Sequence, residues 1–407
     1  MEFARSAALF EAAKKLIPGG IHLSGRPLLA PENSPLYFER GSGARCVDVD
    51  GNEYIDYIMA YGPFLLGYAN EEVNEAAFEQ IRKGALLSLN HPLHLKFMET
   101  LLSRFPRSDC GVFFKTGSEA TTAALRIARK HTKRRKVARC GYHGWHDWCL
   151  PLEPFVPHGL SEQVYEFTPR VPGSLEHILE RDGDEIAAVI VAPEMVLDPT
   201  RDVFQSWMDA AADAGAVFIL DEVKTGLRTS KGSIQALLDL DPDVTTLSKA
   251  LGNGWPIAAV IGKRHIMESG SGMHYSATFH GETGAIAAAL KVLEIVDRSN
   301  VAGKVNELGQ TLIDGLNGMA LAEGLPAVAY AEPVPSMPFL SWQHPDTQTN
   351  ASLRDGFYAR MLEGGILMHP RHLWFTSAAH TRDDIARTIA VAASAMRSIK
   401  QELGHLL

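Results

Sequence analysis

Between Cys110 and Ile261 the sequence alternates short apolar runs with stretches of helical periodicity, and this alternation restricts the fold more than any other feature. The runs are Cys110 to Phe114, Lys136 to Cys140, Ala187 to Ala192, Val217 to Leu220, Val244 to Leu247 and Ile257 to Ile261. Strands that are apolar on both faces must be covered on both, and intervening helices supply the cover. The pattern therefore predicts an α/β fold with a mainly parallel sheet. Such sheets bind ligands at the carboxyl ends of their strands, so polar residues at those ends are the candidates for chemistry.

The flanking sequence reads differently. A helix over Ser6 to Leu16 stops at Pro18-Gly19-Gly20, and an irregular arm carries His22, Ser24 and Arg26. Short strands around Tyr37 to Glu39 and Ala44 to Val49, with a turn at Asp48 to Asn52, predict an antiparallel meander. Helices follow over Glu71 to Arg82 and Pro92 to Arg104. After Asp297 the alternation ends; Ala329 to Phe339, with three prolines, reads as a connection. The expected division is an N-terminal arm and small-domain segment at 1–60, a large domain at 61–297 and a smaller C-terminal α+β domain at 298–407.

Composition excludes several functions. A net charge of -9 opposes a sequence-independent hold on nucleic acid, which needs a basic surface. The run Lys133-Arg134-Arg135-Lys136 reads as a solvated helix end. Cys46, Cys110, Cys140 and Cys149 have no CxxC spacing and read as reduced thiols of a cytoplasmic protein. No apolar run reaches membrane-spanning length, and the first residues lack the apolar core of a signal peptide.

The fifth run ends at Ser248-Lys249-Ala250-Leu251-Gly252-Asn253-Gly254, which places a lysine at a strand end before a glycine-bearing loop. Lys249 has no charged neighbour within four residues on either side. Burial penalises the ammonium form, so an amine here loses its proton readily and can attack a carbonyl.

Other strand ends carry complementary groups. Thr116-Gly117-Ser118-Glu119-Ala120 leads into a helix, where free backbone N–H groups and the dipole favour phosphate; helix capping by Ser118 fits the same residues. Gly141-Tyr142-His143-Gly144 offers an aromatic face for a flat ligand, while His143 and His146 could instead form a metal pair. Asp221 closes an apolar strand in Leu220-Asp221-Glu222-Val223-Lys224-Thr225-Gly226. A protonated ring nitrogen, an ordinary ion pair or a magnesium ion would each hold its charge. Thr278 supplies a further hydroxyl before a small-residue helix at Ala285 to Ala289. A phosphate cradle, an aromatic plate, an anionic partner for a ring nitrogen and a lysine together fit pyridoxal 5'-phosphate (PLP).

The order Thr-Gly-Ser-Glu-Ala, Tyr-His-Gly, Asp-Glu-Val-x-Thr-Gly-x-Arg and Ser-Lys-Ala-x-Gly resembles the class III aminotransferases of PLP fold type I, the aspartate-aminotransferase-like fold. Pro18-Gly19-Gly20 with Arg26, and Tyr61-Gly62-Pro63, are most similar to the glutamate-1-semialdehyde 2,1-aminomutase branch. The 28 residues from Asp221 to Lys249 also suit the family. The resemblance implies transfer of an amino group from an amino acid to a keto or aldehyde acceptor through a Lys249 Schiff base. It implies that Asp221 holds the ring nitrogen protonated, Tyr142 and Val223 pack on the ring faces, and Gly117 and Ser118 bind phosphate. Thr278 would join them from a second subunit, giving a homodimer with shared sites. Arg26 would hold a substrate carboxylate and Tyr61 would line the substrate pocket.

The chain departs from the pattern at several points. Val191-Ala192-Pro193-Glu194 stands where relatives read Val-Glu-Pro, which loses or shifts a carboxylate. His369-Pro370-Arg371-His372-Leu373-Trp374-Phe375 replaces a segment that carries an acid in the aminomutases. A diamino intermediate would want that acid, so these changes favour intermolecular transamination, with intramolecular amino transfer as the alternative. The substituted loops point to a specialised substrate, such as a β-amino acid or a biosynthetic intermediate.

Overall fold

The computed structural model describes residues 1–22, 35–149, 159–196 and 198–406. Three short strands come first: β1 (Phe38–Ser42), β2 (Arg45–Asp48) and β3 (Glu53–Asp56). The alternating region supplies β4 (Cys110–Phe114), β5 (Lys136–Cys140), β6 (Val164–Glu166), β7 (Ile186–Val191), β8 (Val217–Glu222), β9 (Val244–Leu247) and β10 (Ala258–Gly262). The last strands are β11 (Ala327–Ala331), β12 (Pro338–Trp342) and β13 (Ile366–Leu367).

The chain forms two compact units. One comprises residues 71–303 and 332–334 and contains the seven-stranded sheet, in the order β4-β10-β9-β8-β7-β5-β6. Strands β5 to β9 pair in parallel where they are adjacent, whereas β10 runs antiparallel to both β9 and β4. Every residue of β7 and β8 is buried, as expected for strands covered on both faces. One cover is the helix Gly117–Thr132, whose Ala120, Ala124, Ile127 and Ala128 pack with Val137, Ile190, Ile219 and Val260. On another, Phe204, Trp207 and Ala211 of the helix Arg201–Asp213 pack with Val189, Val191, Phe218 and Leu220.

The other unit comprises residues 1–70, 304–331 and 335–407. Its four-stranded sheet has the order β1-β2-β3-β13, with β1 to β3 antiparallel and β13 parallel to β3. The meander expected near the N-terminus is thus present, closed by a strand from the C-terminal part. Ala329 to Phe339 differs from its expectation as a simple connection: β11 and β12 pair antiparallel, from Ala327 opposite Trp342 to Ala331 opposite Pro338. Pro338 is the first residue of its strand, where the missing N–H is tolerated. Trp374, Phe357, Leu340 and Met396 belong to the buried core of this unit.

Candidate active site

Strand register brings the predicted strand-end residues together. Asp221 in β8 pairs with Thr246 in β9, three residues before Lys249. The Asp221 carboxylate is buried. Its Oδ1 accepts from Thr246 Oγ1 at 2.8 Å and from the Val223 backbone N–H at 3.1 Å, and its Oδ2 accepts from His143 Nδ1 at 2.7 Å. A carboxylate has about four acceptor sites, so these three donors leave room for one more N–H. The His143 ring, stacked at 12° on Trp148, is fixed in orientation by that packing. His146 turns elsewhere, with Nδ1 2.7 Å from Thr122 Oγ1, so the two histidines do not converge. Among the described residues no cluster of three or more His, Cys, Asp or Glu is placed to hold a metal.

Lys249 follows β9 and holds φ at 44°, a left-handed conformation rarely adopted by a side-chain-bearing residue. Such a conformation costs on the order of 1–3 kcal/mol and persists only where the surroundings enforce it. Its amine is lowered to about 7, first by burial, next by the Lys224 ammonium and then by Arg228, with Glu194 and Asp221 opposing. The Lys249 amine is therefore unprotonated near neutrality far more often than that of an ordinary lysine.

Lys224 has the opposite character. Burial pulls it down, but Glu194, at 2.8 Å from its Nζ, together with Asp221 and Tyr142, more than offsets this and holds it above the ordinary lysine value. Of the two lysines, only Lys249 is thus available as a nucleophile or base near neutrality. Sequence reasoning singled out Glu194 as a lost or shifted carboxylate; the structure shows it buried and paired with Lys224.

The helix Gly117–Thr132 presents its N-terminus to the same cluster. Capping differs from the expectation that Ser118 serves as cap. Thr116 is the cap residue: Glu119 N–H donates to Thr116 Oγ1 at 3.3 Å, and Thr116 N–H donates to Glu119 Oε2 at 2.8 Å. This reciprocal arrangement leaves the Gly117 and Ser118 N–H groups with no partner among the described residues, as an anion site requires. Close packing specifies glycine twice here. A Cβ on Gly117 would stand 2.8 Å from Val223 Cγ1, and one on Gly144 would collide with Ser118 Oγ. Tyr142 is half-exposed, and Lys224 Nζ lies 5.8 Å from its ring centroid.

Thr278 is exposed, on the loop before the helix Thr283–Arg298. Arg26 falls outside the described residues. Tyr61 belongs to the other unit, where Met59, Ala60 and Tyr61 hold φ at 45°, 50° and 66°. Asp56 braces this strained run by accepting from the Ile58 and Met59 N–H groups and from Tyr68 Oη. The Tyr61 ring meets His372 edge-on at 5.0 Å and His369 at 5.9 Å, so the divergent 369–375 segment adjoins Tyr61.

A buried carboxylate with acceptor capacity to spare, a helix N-terminus with open N–H groups and a lysine whose amine readily loses its proton fit a phosphorylated pyridine aldehyde. The comparison with known families agrees: the class III aminotransferase profile matches residues 29–372. The chain belongs to the class III aminotransferases. Among relatives of this aminotransferase is the 3-aminobutyryl-CoA aminotransferase of Cloacimonas acidaminovorans (strain Evry), 34% identical over 99% of both chains. A glutamate-1-semialdehyde 2,1-aminomutase of Ignicoccus hospitalis is 33% identical over 97% of this chain and 99% of its own. Among solved structures, the FumI protein of Sphingopyxis sp. MTA144, in a form with PLP as an internal aldimine, superimposes with a TM-score of 0.92 at 28% identity, covering 98% of each chain. The cofactor of this aminotransferase is PLP, and the fold is that of the PLP-dependent transaminases. No helix among the described residues is long and apolar enough to cross a membrane.

A separate surface groove of about 670 Å³ runs between the helices Glu71–Ile81, Pro92–Leu102 and Thr283–Arg298. Its lysines and Arg298 face Glu79, Glu294 and Asp297, and it includes none of the strand-end residues.

Proposed function

We propose that this aminotransferase takes its amino group from a donor with the amine on the carbon β to a carboxyl or thioester carbonyl, and passes it to a separate carbonyl acceptor. The observation that carries the mechanism is the Lys249 amine, lowered to about 7 and one strand from the Asp221 carboxylate. Lys249 Nζ would hold the cofactor's aldehyde carbon. Asp221, its carboxylate fixed by His143 and Thr246, would accept the ring N–H and keep it protonated. Gly117 and Ser118 would bind phosphate through the helix N-terminus, and Tyr142 and Val223 would pack against the ring.

When bound, PLP supplies an electron sink for the pair left on the substrate carbon after proton loss. The Lys249 amine, once the donor's amine has displaced it, would take that proton and return one to complete transfer. Arg26 binds a substrate carboxylate and Tyr61 lines the pocket. The protein works in the cytoplasm as a homodimer, in which the exposed Thr278 adds a hydroxyl to the neighbouring subunit's phosphate site.

The donor class is supported by likeness to the 3-aminobutyryl-CoA aminotransferase over 99% of the chain. The divergent His369 to Phe375 segment beside Tyr61 supports intermolecular transfer over the aminomutase reaction. The test supplies purified enzyme with 3-aminobutyrate, its thioesters and glutamate-1-semialdehyde, each with and without an added 2-oxo acid. Turnover of a β-amino donor only when the 2-oxo acid is present is expected. Conversion of glutamate-1-semialdehyde without any acceptor, with the β-amino donors inert, would establish the aminomutase reaction instead.

A further inference from the structure

We propose that Lys224 is a positioning residue for Lys249: Lys224, in its buried pair with Glu194, stands three residues beyond Asp221 of β8, as Lys249 stands three beyond its partner Thr246 of the adjacent β9, and sets the charge that the Lys249 amine meets. This inference rests on the reading of Lys249 as the reactive amine. Lys224 Nζ lies 2.8 Å from Glu194 Oε1, with side-chain exposures of only 11% and 2%. The same Nζ sits 5.8 Å from the centre of the Tyr142 ring, a second anchor for a cation. Glu194 Oε2 is buried and has no hydrogen-bond partner among the described residues, so Glu194 has Lys224 as its described cation. Deprotonating Lys224 would strand a buried carboxylate, which is strongly unfavourable.

A fixed ammonium in a water-poor cluster penalises a second one nearby. Lys224 and Arg228 oppose the Lys249 ammonium, while Glu194 and Asp221 favour it; Lys224 itself faces Glu194, Asp221 and Tyr142. Lys224 therefore acts twice. It repels the proton from Lys249, and it occupies the carboxylate that would otherwise attract that proton. Removing the charge of Lys224 leaves Glu194 without its counter-ion, and the attraction that Glu194 exerts on a proton at Lys249 then goes unopposed. The pair also decides which lysine reacts: a locked ammonium cannot attack an aldehyde.

The test compares Lys224→Met with the charge-retaining Lys224→Arg in the full-length, PLP-loaded enzyme. The pH midpoint of the bound cofactor's visible absorbance change is read first. The pH dependence of Lys249 acetylation, quantified by mass spectrometry in the full-length chain freed of PLP, gives a second readout. Lys224→Met is expected to raise both midpoints by about one pH unit or more, a tenfold loss of reactive amine at fixed pH, while Lys224→Arg stays near wild type. Unmoved midpoints in Lys224→Met, or equal displacement in both variants, would overturn the inference. Circular dichroism checks folding, and Lys224→Gln replaces Lys224→Met if the latter does not fold. An ordinary lysine midpoint for Lys249 in the wild type would instead defeat the reading of Lys249, so the two failures are distinguishable.

Discussion

His143 donates from Nδ1 to Asp221 Oδ2 at 2.7 Å, with both side chains buried. This bond, and the 2.8 Å bond from Thr246, fix the carboxylate in one orientation. Replacing Asp221 by Asn keeps the shape but removes the charge proposed to keep the ring nitrogen protonated. Transamination is expected to fall by a factor of 100 or more, on the scale of losing a charge-assisted interaction of about 3 kcal/mol. His143→Asn, which leaves the charge but loosens its support, should cost about tenfold by the same scale. Steady-state kinetics with bound PLP measured separately checks both. An Asp221→Asn enzyme at half the wild-type rate would remove Asp221 from its role.

Lys249→Ala removes the strand-end amine whose pKa is lowered to about 7. Loss of multiple turnover is expected, by at least about a thousandfold, within the range for removing a positioned base. Borohydride reduction of the loaded protein, followed by peptide mapping, should place the cofactor on Lys249 in the wild type and nowhere in the variant. Modification at Lys224 in the wild type would contradict this.

The close approach between Gly117 and Val223 predicts a compensating pair. In Gly117→Ala the new methyl must displace Val223 or the turn that carries it, and overpacking of this kind costs about 1–3 kcal/mol. PLP affinity should weaken by roughly tenfold or more on that scale. Adding Val223→Ala makes room and should restore part of the loss, read by fluorescence titration as a non-additive double-mutant cycle.

His380 predicts a pH dependence of stability. It is buried, Nδ1 accepts from the Ser377 N–H at 3.0 Å, and burial lowers it to about 4, with Asp384 opposing and Arg45 adding. The folded value lies below the unfolded one of 6.5, so the unfolded chain binds more protons between these values. The contribution of His380 is present above about 6.5 and is lost as pH falls through about 4, amounting to on the order of 3 kcal/mol at the acid end. In His380→Asn the amide oxygen can replace Nδ1 as acceptor but does not titrate. Its unfolding temperature, measured from pH 7 to 4, should fall less steeply than that of the wild type; parallel curves would refute the assignment.

The residues at the site were legible where chemistry coincides with a strand end. The apolar runs of β4, β5 and β9 have the boundaries that their sequence implies, and Lys249 and Asp221 stand out as charges beside buried segments. Their partners were not legible. Thr246 meets Asp221 through strand register, and Lys224 meets Glu194 across 30 residues of sequence, relations that no local pattern encodes. The reversed direction of β10 was equally hidden, because a fully buried strand is apolar whichever way it runs. The edge strand β6 was missed because Val164-Tyr165-Glu166 is short and only partly buried. The β11–β12 hairpin was masked by Pro333, Pro335 and Pro338, which flank its loop and open its second strand.

The absent side chain at Gly117 also sets an order on how this lineage can change. If Val223 shrinks first, position 117 can gain a carbon without a state in which two atoms contest one space. Stepwise change at these two positions is therefore easier in one order than in the other.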